Sequence, residues 1–297
     1  MAKKRRLKLQ EFALTNFIPT VWSAQLLVSL KAALIYGQPG IVNTDYEGEI
    51  SAYGDTVKIT GIGAITVGDY TKNSNISDPE ALTDSTRSIT IDQAKYFNFQ
   101  VDDVDKAQGN PKVMSQAMME ASYALKKTAD TFVSGLYVDC VAENLIGNDT
   151  TPITFTAVTD AYNALVDLSV KLDEANVPEN GRWVVVPSWY EGLMLKDSRF
   201  ITAVDPTGAA ARLNGQIGKA AGFNVLKSNQ VPNTAGAKYK VIAGTSGAMS
   251  YAEQASEVEA YRPEKRFADA VKGLHLYGGK LVRTDGIAVL TVDRPTL

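Results

Sequence analysis

The stretch "GNPKVMSQAMMEASYALKKTADTFVSGLYVDCVAENLIGN", Gly109 to Asn148, carries the strongest periodic signal in the chain. Met114, Met118, Ala121, Leu125, Phe132, Leu136 and Cys140 recur at roughly the spacing of one helix face, with Glu120, Lys127, Asp130 and Glu143 among the polar positions. Asn110 suits the N-cap, Pro111 the first helical position and Gly147 the terminator. The pattern predicts a helix from Pro111 to Leu145, a rod of roughly 50 Å at a rise of about 1.5 Å per residue. Helices in ordinary domains average about 11 or 12 residues. A segment this long reads as a girder on which other elements hang.

Upstream of it the period becomes two. "GDTVKITGIGAITV" from Gly54 and "SITIDQAKYFNFQVDD" from Ser88 alternate apolar and polar residues, with Val57 and Ile59 in one strand and Ile89, Ile91, Phe97, Phe99 and Val101 in a second. The interval "GDYTKNSNISDPEALTDSTRS" from Gly68 is longer and more polar than a hairpin turn requires, and reads as a projecting loop. Downstream, the pattern predicts a helix from Asp160 to Ala175, a buried strand "RWVVVP" at Arg182, and a helix after Ser188. Glycine-marked turns precede a strand around Val225, "YKVIAG" and "GAMSYAEQ" are further strands, and strand-like stretches fill Glu257 to Val292. The class is α+β, without internal repeat, low-complexity tract or flexible linker.

The N-terminal stretch "KKRRLKLQEFALTNFIPTVWSAQLLVSLKAALIYGQPG" from Lys3 has the basic start of an export signal. It lacks the unbroken apolar core of about 7 to 15 residues and the small-residue cleavage site that such a signal needs. Ser23, Gln25, Ser29 and Lys31 interrupt it, and no interval approaches the roughly 18 residues of a membrane span. No membrane is expected. What remains is an amphipathic helix with Trp22, Leu26, Leu30, Ala33 and Leu34 on one face, Pro19 near its start, and Gly37 and Pro39 at its end. Its apolar face needs a surface, which another subunit would supply.

With 45% hydrophobic residues, the 297-residue chain has ample material for a core. The single cysteine, Cys140, rules out an intramolecular disulfide and suits a reducing compartment. The chain has 30 basic and 33 acidic residues, a net charge of −3. Lys3, Lys4, Arg5, Arg6 and Lys8 all lie in the first ten positions, so the remaining 25 bases against 33 acids leave the body at −8. An acidic body with a basic leader argues against a broad nucleic-acid groove.

A search for chemistry finds no specific site. His275 is the only histidine, so multi-histidine metal motifs are impossible, and its neighbours Leu274 and Leu276 suit a structural role in a strand. Cys140 lies on the predicted apolar stripe, where free cysteine behaves as a small hydrophobe. "GTSGA" at Gly244 lacks the second glycine of a nucleophile elbow, and no phosphate-binding P-loop motif occurs. Asp102, Asp103 and Asp105 resemble a calcium loop, but counted from Asp103 the sixth and twelfth places hold Gln108 and Met114 where glycine and glutamate are required. A solvated strand end or helix-capping cluster accounts for them. Catalytic, cofactor and metal sites are therefore not expected.

Several longer motifs point to a family. "IPTVWSAQLLVSLKAALIYG", "NTDYEGEI", "GDTVKI", "ITIDQAKYFNFQVDDVDKAQ" and "GKAAGFNVLKSNQVP", in this order and over most of the chain from Pro19, resemble the major capsid proteins of tailed bacteriophages, which have the HK-97-type fold. The resemblance implies an N-terminal arm over residues 1–45 and an extended β-hairpin loop over 46–109. It implies a peripheral domain with a long spine helix over 110–154 and 255–285, and an axial domain over 155–254 and 286–297. It implies self-assembly, as hexamers and pentamers, into an icosahedral shell around double-stranded DNA held without sequence specificity. Scaffolding, portal and decoration or minor capsid proteins are possible partners. The protein would be made in the bacterial host cytoplasm and reside in the virion capsid. Trp22, Leu26 and Leu30 of the arm, and Lys58 and Lys72 of the loop, become candidate intersubunit contacts, and Lys3, Lys4, Arg5, Arg6 and Lys8 an interior basic leader. Some relatives weld subunits through a lysine–asparagine isopeptide bond. No motif assigns Lys58 or Lys72 that role, and no crosslink is expected. The alternatives are an encapsulin-like compartment, which would hold a cargo enzyme instead of DNA, and a soluble α/β enzyme, which would need a site.

Overall fold

All five residues of Arg182–Val186 are buried, the condition of a strand covered on both faces, and the fold is organised around it. The computed structural model describes residues 35–45, 54, 56–62, 67, 69–73, 75, 78, 84–102, 113–201 and 218–295. Its strands begin with β1 (Thr56–Ile62), β2 (Asp84–Thr90), β3 (Gln93–Asp102), β4 (Leu145–Ile146), β5 (Ile153–Thr154) and β6 (Arg182–Val186). They continue with β7 (Lys219–Ala220), β8 (Phe223–Lys227), β9 (Asn233–Thr234), β10 (Lys238–Thr245), β11 (Met249–Tyr261), β12 (Ala268–Leu281) and β13 (Ile287–Asp293). The helices are α1 (Val113–Gly135), α2 (Asp160–Glu174), α3 (Ser188–Lys196) and the short α4 (Ser198–Ile201).

One sheet runs in the order β4-β13-β10-β6-β8-β7, with β5 beside β13 and β9 beside β10. Alternation along its strands sends side chains to two cores. Val184, Val186, Val241, Ala243, Leu290 and Val292 meet α2 and α3 through Leu165, Leu168, Leu172, Tyr190 and Met194. Trp183, Val185, Ile242, Ile287 and Val289 face the other way, onto Ala129 and Val133 of α1 and onto Tyr36, Ile41, Tyr251 and Tyr277. α2 starts where Asp160 Oδ2 accepts the Thr156 and Ala157 amides, each at 2.8 Å. These bonds hold the Asp160 carboxyl below its ordinary range.

The second sheet is antiparallel, in the order β11-β12-β3. α1 covers one face of it: Met118 and Leu125 pack on Val258 and Val271, flanked by Phe97 and Phe99. Among the described residues β1 and β2 form a separate two-stranded ribbon in register from Thr56↔Thr90 to Ile62↔Asp84.

Two expectations are corrected. The long helix ends at Gly135, not Leu145, and its 23 residues give about 35 Å. Leu136–Asp139 and Ala142–Asn144 form 3₁₀ turns separated by an extended Cys140, so Gly147 terminates no helix. The periodic stripe continues past Gly135 because Leu136, Tyr137 and Cys140 still pack on the second core, but tertiary bonds bend the backbone away. Buried Asn144 donates Nδ2–H to the carbonyls of Asp285 and Ile287 at 2.9 and 3.0 Å, and Val141 donates its amide to Thr284.

The second correction concerns the strand carrying Phe97 and Phe99. It is not the hairpin partner of β1: the stretch from Ser88 divides at Ile91 and Asp92 into β2, which pairs with β1, and β3, which pairs with β12. Ile91 is 1% exposed and packs against Ala252 and Leu276, pinning the corner between the two sheets.

Candidate assembly surfaces

The base of the N-terminal segment is stapled to the body at two points. Buried Asp130, on α1, accepts the Ile35 amide on both carboxylate oxygens, at 3.2 and 3.1 Å, and the Tyr36 amide at 3.1 Å. Burial pushes its carboxyl up from the ordinary carboxylate range, against the opposing effect of these amides and of the Lys126 charge. Asn43 makes the second staple by donating its amide to Met249 O at 2.8 Å and accepting that of Tyr251 at 3.0 Å, a parallel bridge onto the start of β11. Between the staples Tyr36, Ile41 and Val42 are fully buried.

The ribbon leaves the body over Gly278. A Cβ at that position would lie inside van der Waals contact of Thr90 O and 3.0 Å from Ile91 Cα, so only glycine lets the corner cross β12 so closely. Arg87 Nη1 donates to Leu281 O at 3.1 Å and ties β2 down. Farther out, Val67 and Tyr70 are strongly exposed. Lys58, opposite Ser88 in the ribbon, and Lys72 beyond it are both exposed, as a surface role requires. Trp22, Leu26, Leu30 and the leader bases Lys3, Lys4, Arg5, Arg6 and Lys8 lie outside the described residues, as do Asp103 and Asp105.

The face of the β11-β12-β3 sheet opposite α1 also carries exposed residues. Tyr96 and Leu274 stand directly across from one another and are 78% and 39% exposed. Beside them Lys272 bonds Glu259 at 2.8 Å and lies over the Tyr261 ring, whose hydroxyl exchanges hydrogen bonds with Asn98. Phe267, at the β11–β12 turn, is 85% exposed, and Met119 and Tyr123 are exposed on the outer face of α1. Single apolar residues at a surface are ordinary; groups such as Val67 with Tyr70, Tyr96 with Leu274 and Met119 with Tyr123 are candidate assembly surfaces.

Of the titratable groups singled out from the sequence, His275 is buried and Cys140 partly buried. His275 is buried on the α1 side of the sheet, its Nε2 3.4 Å from Glu253 Oε2 and its ring 5.0 Å from that of Tyr277. Glu253 also accepts the Tyr251 hydroxyl at 3.0 Å. Burial pushes the Cys140 thiol up to about 12, and its Sγ donates to Ile287 O at 3.3 Å, a protonated and poorly nucleophilic state. At the C-terminus of α3, Asp197 is fully buried and held below its usual range by Arg199, whose Nε and Nη2 donate to Oδ2 at 2.9 and 2.7 Å and whose Nε also reaches Oδ1 at 3.2 Å.

Sequence reasoning missed Asp130 and Gly278. Asp130 falls among the polar positions of the helix pattern; its one sequence signal is that it interrupts the apolar run of Ala129, Phe132 and Val133. Gly278 and Gly279 together inside a strand pattern were the corresponding sign of a close backbone approach.

A family model described as phage capsid protein matches residues 84–290, from β2 to the middle of β13. The chain belongs to the phage capsid protein family. Among solved structures this capsid protein is similar to a chain of Mycobacterium phage Che8, at 31% identity and a TM-score of 0.71, covering 86% of this chain and 90% of that one. The capsid of cyanophage P-SCSP1u matches at 18% identity and a TM-score of 0.69 over 89% of each chain. A virus-like particle from Pyrococcus furiosus matches at 12% identity and a TM-score of 0.54, a likeness of fold alone. No curated protein sequence matches significantly. The protein is a structural major capsid protein of the tailed-phage type with an HK-97-type α+β fold, and it self-assembles into the shell of the virion. The family match and the Che8 identity favour this over an encapsulin-like compartment.

Proposed function

We propose that the subunit builds its shell, as hexamers and pentamers around double-stranded DNA, through two projecting elements laid on neighbouring copies. The carrying observation is the β1–β2 ribbon. Among the described residues its sheet has two strands, and a lone two-stranded hairpin is marginal in water at best. The surface of a second copy supplies the missing support, and Lys58, Lys72, Val67 and Tyr70 are exposed where it would sit. Of the N-terminal arm over residues 1–45, the part before Ile35 forms the other projection, with Trp22, Leu26 and Leu30 on the neighbour, while Ile35–Asn43 anchors it in its own subunit. In this reading 46–109 is the extended loop, with β3 packed into the adjoining sheet; 110–154 and 255–285 form the peripheral domain, and 155–254 and 286–297 the axial domain. The role is structural and without catalytic turnover. The subunit is made in the bacterial cytoplasm and meets scaffolding, portal and decoration or minor capsid proteins during or after closure.

Truncating a buried aromatic costs about 3 to 5 kcal/mol. If Trp22 is buried between subunits, Trp22→Ala removes that amount from each contact and leaves the subunit folded. Light scattering after size exclusion, with negative-stain microscopy, checks this: the parent chain forms capsomers or particles far above 32.0 kDa, and the variant remains small with an unchanged far-UV spectrum. A parent chain that stays monomeric with and without scaffold overturns the reading.

A further inference from the structure

We infer that Asp130 is a positioning residue for assembly, which fixes where and in what direction the N-terminal segment leaves the body. The inference rests on the reading of the residues before Ile35 as an intersubunit arm.

Asp130 is 1% exposed on α1, whose Ala129 and Val133 belong to the same core as Tyr36 and Tyr251. A carboxylate taken out of water is tolerated only where charge-assisted bonds replace its hydration. Here the replacements come from backbone: the Ile35 amide shared between both oxygens, and the Tyr36 amide on one of them. An apolar side chain at this position would pack the core at less cost, so packing does not account for an aspartate. Direction does. Consecutive amides converging on one carboxylate admit one backbone path, whereas apolar contacts of Tyr36 alone would tolerate several.

The rest of the stirrup supports the same role. Ile41 and Val42 donate their amides to Gln38 O, closing a tight turn, and Asn43 is locked to Met249 and Tyr251. The segment from Ile35 to Asn43 is therefore held at both ends, one on the helix and one on β11. The Asp130 end is the one from which the N-terminal segment departs. A helix and a strand that belong to different layers of the body thus share the load of one exit point, and a shift of α1 against the sheet is transmitted to it.

The test uses the full-length chain and two variants. Asp130→Asn keeps the size but turns one acceptor oxygen into an amide donor facing amide donors. Ile35→Pro removes the doubly shared N–H without touching α1, and serves if Asp130→Asn does not fold. Hydrogen exchange read by mass spectrometry should rise about tenfold to a hundredfold at the remaining amides of Ile35 and Tyr36, the scale of losing bonds to a charged acceptor, with β12 amides as in the parent. Particle yield by microscopy should fall at least severalfold in both variants, while the unfolding midpoint of the subunit changes little. Tyr36→Phe deletes a hydroxyl that has no hydrogen-bond partner among the described residues and should assemble like the parent.

Unchanged exchange in Asp130→Asn overturns the proposal, because the carboxylate then does not hold these amides. Raised exchange with parental particle yield also overturns it, since the bond is then only local structure. Trp22→Ala separates the two levels. If it lowers yield and Asp130→Asn does not, the positioning role alone is lost; if neither lowers yield, the arm reading itself fails.

Discussion

Gly278 shows how much of the architecture rests on one missing side chain. Replacing it with alanine puts a methyl group against Thr90 O and Ile91 Cα, both backbone atoms that cannot step aside, and overpacking of this kind costs about 1 to 3 kcal/mol. Gly278→Ala should lower the denaturant midpoint accordingly and increase protease cleavage between β1 and β2, because the corner that carries the ribbon is displaced. Asp197 makes a second prediction at this scale. Arg199 holds its folded-state pKa below the unfolded value, so its contribution to stability is present above about pH 4, the ordinary carboxylate range, and is lost as pH falls through the depressed value. Unfolding midpoints measured from about pH 5 down to pH 2 should fall in the parent and fall less steeply in Asp197→Asn. Neither residue could be singled out from sequence on its own. Gly278 requires knowing which chain crosses it, and Asp197 requires Arg199 to fold back over two residues while also reaching Thr159 O and Asn163.

Element by element, legibility followed burial. β6 and α2 were readable because their patterns are complete within one segment: five buried positions in a row, and Leu165, Leu168 and Leu172 on one face. α1 was readable as a helix but not in length. Its apolar stripe is a record of what packs inside, and Leu136 and Cys140 stay inside after the helix has ended. The deciding bonds come from Asn144, across more than 140 residues, and no local pattern reports them. Asn144→Ala should leave Asp285 O without its buried donor and lower stability by about 1 to 3 kcal/mol, seen as a shifted unfolding midpoint with helix content unchanged. A longer helix in that variant would mean that Asn144 terminates α1 directly. The strand from Ser88 was misread for the same reason: Ile89 and Phe97 share one alternation, yet the chain turns from one sheet into another at Ile91, a change that only Gly278 on the far strand permits. Of the candidate contacts, the exposed positions of Lys58 and Lys72 agree with a surface role, while Asp130 was hidden because a buried carboxylate and a solvated one look alike in a polar slot.

At the scale of the whole molecule the distribution of charge carries the remaining argument. The body is at −8 and the first ten residues hold five bases without an acid. A shell subunit with a net negative body does not grip a polyanion over its surface, which leaves its cargo free to be packed and released. We propose that the basic leader makes a salt-sensitive contact on the inside of the shell, with an acidic scaffolding partner during assembly or with DNA afterwards. Each phosphate neutralised by a lysine or arginine releases a counterion, so a DNA contact weakens with salt at a slope of about 0.9 per phosphate. Replacing Lys3, Lys4, Arg5 and Arg6 with glutamine removes up to four such contacts and should leave the subunit fold unchanged. The yield of DNA-filled particles should fall, and the difference from the parent should shrink as salt is raised, because screening weakens the parent's contact toward the level of the variant. Particle yield and DNA content, measured for both chains at low and moderate salt, separate the cases. A loss of total particles with normal DNA content in those that form places the contact with scaffold. A normal number of particles with less DNA places it with the genome, and equal values at both salts show that the leader is a solvated chain end that takes part in neither.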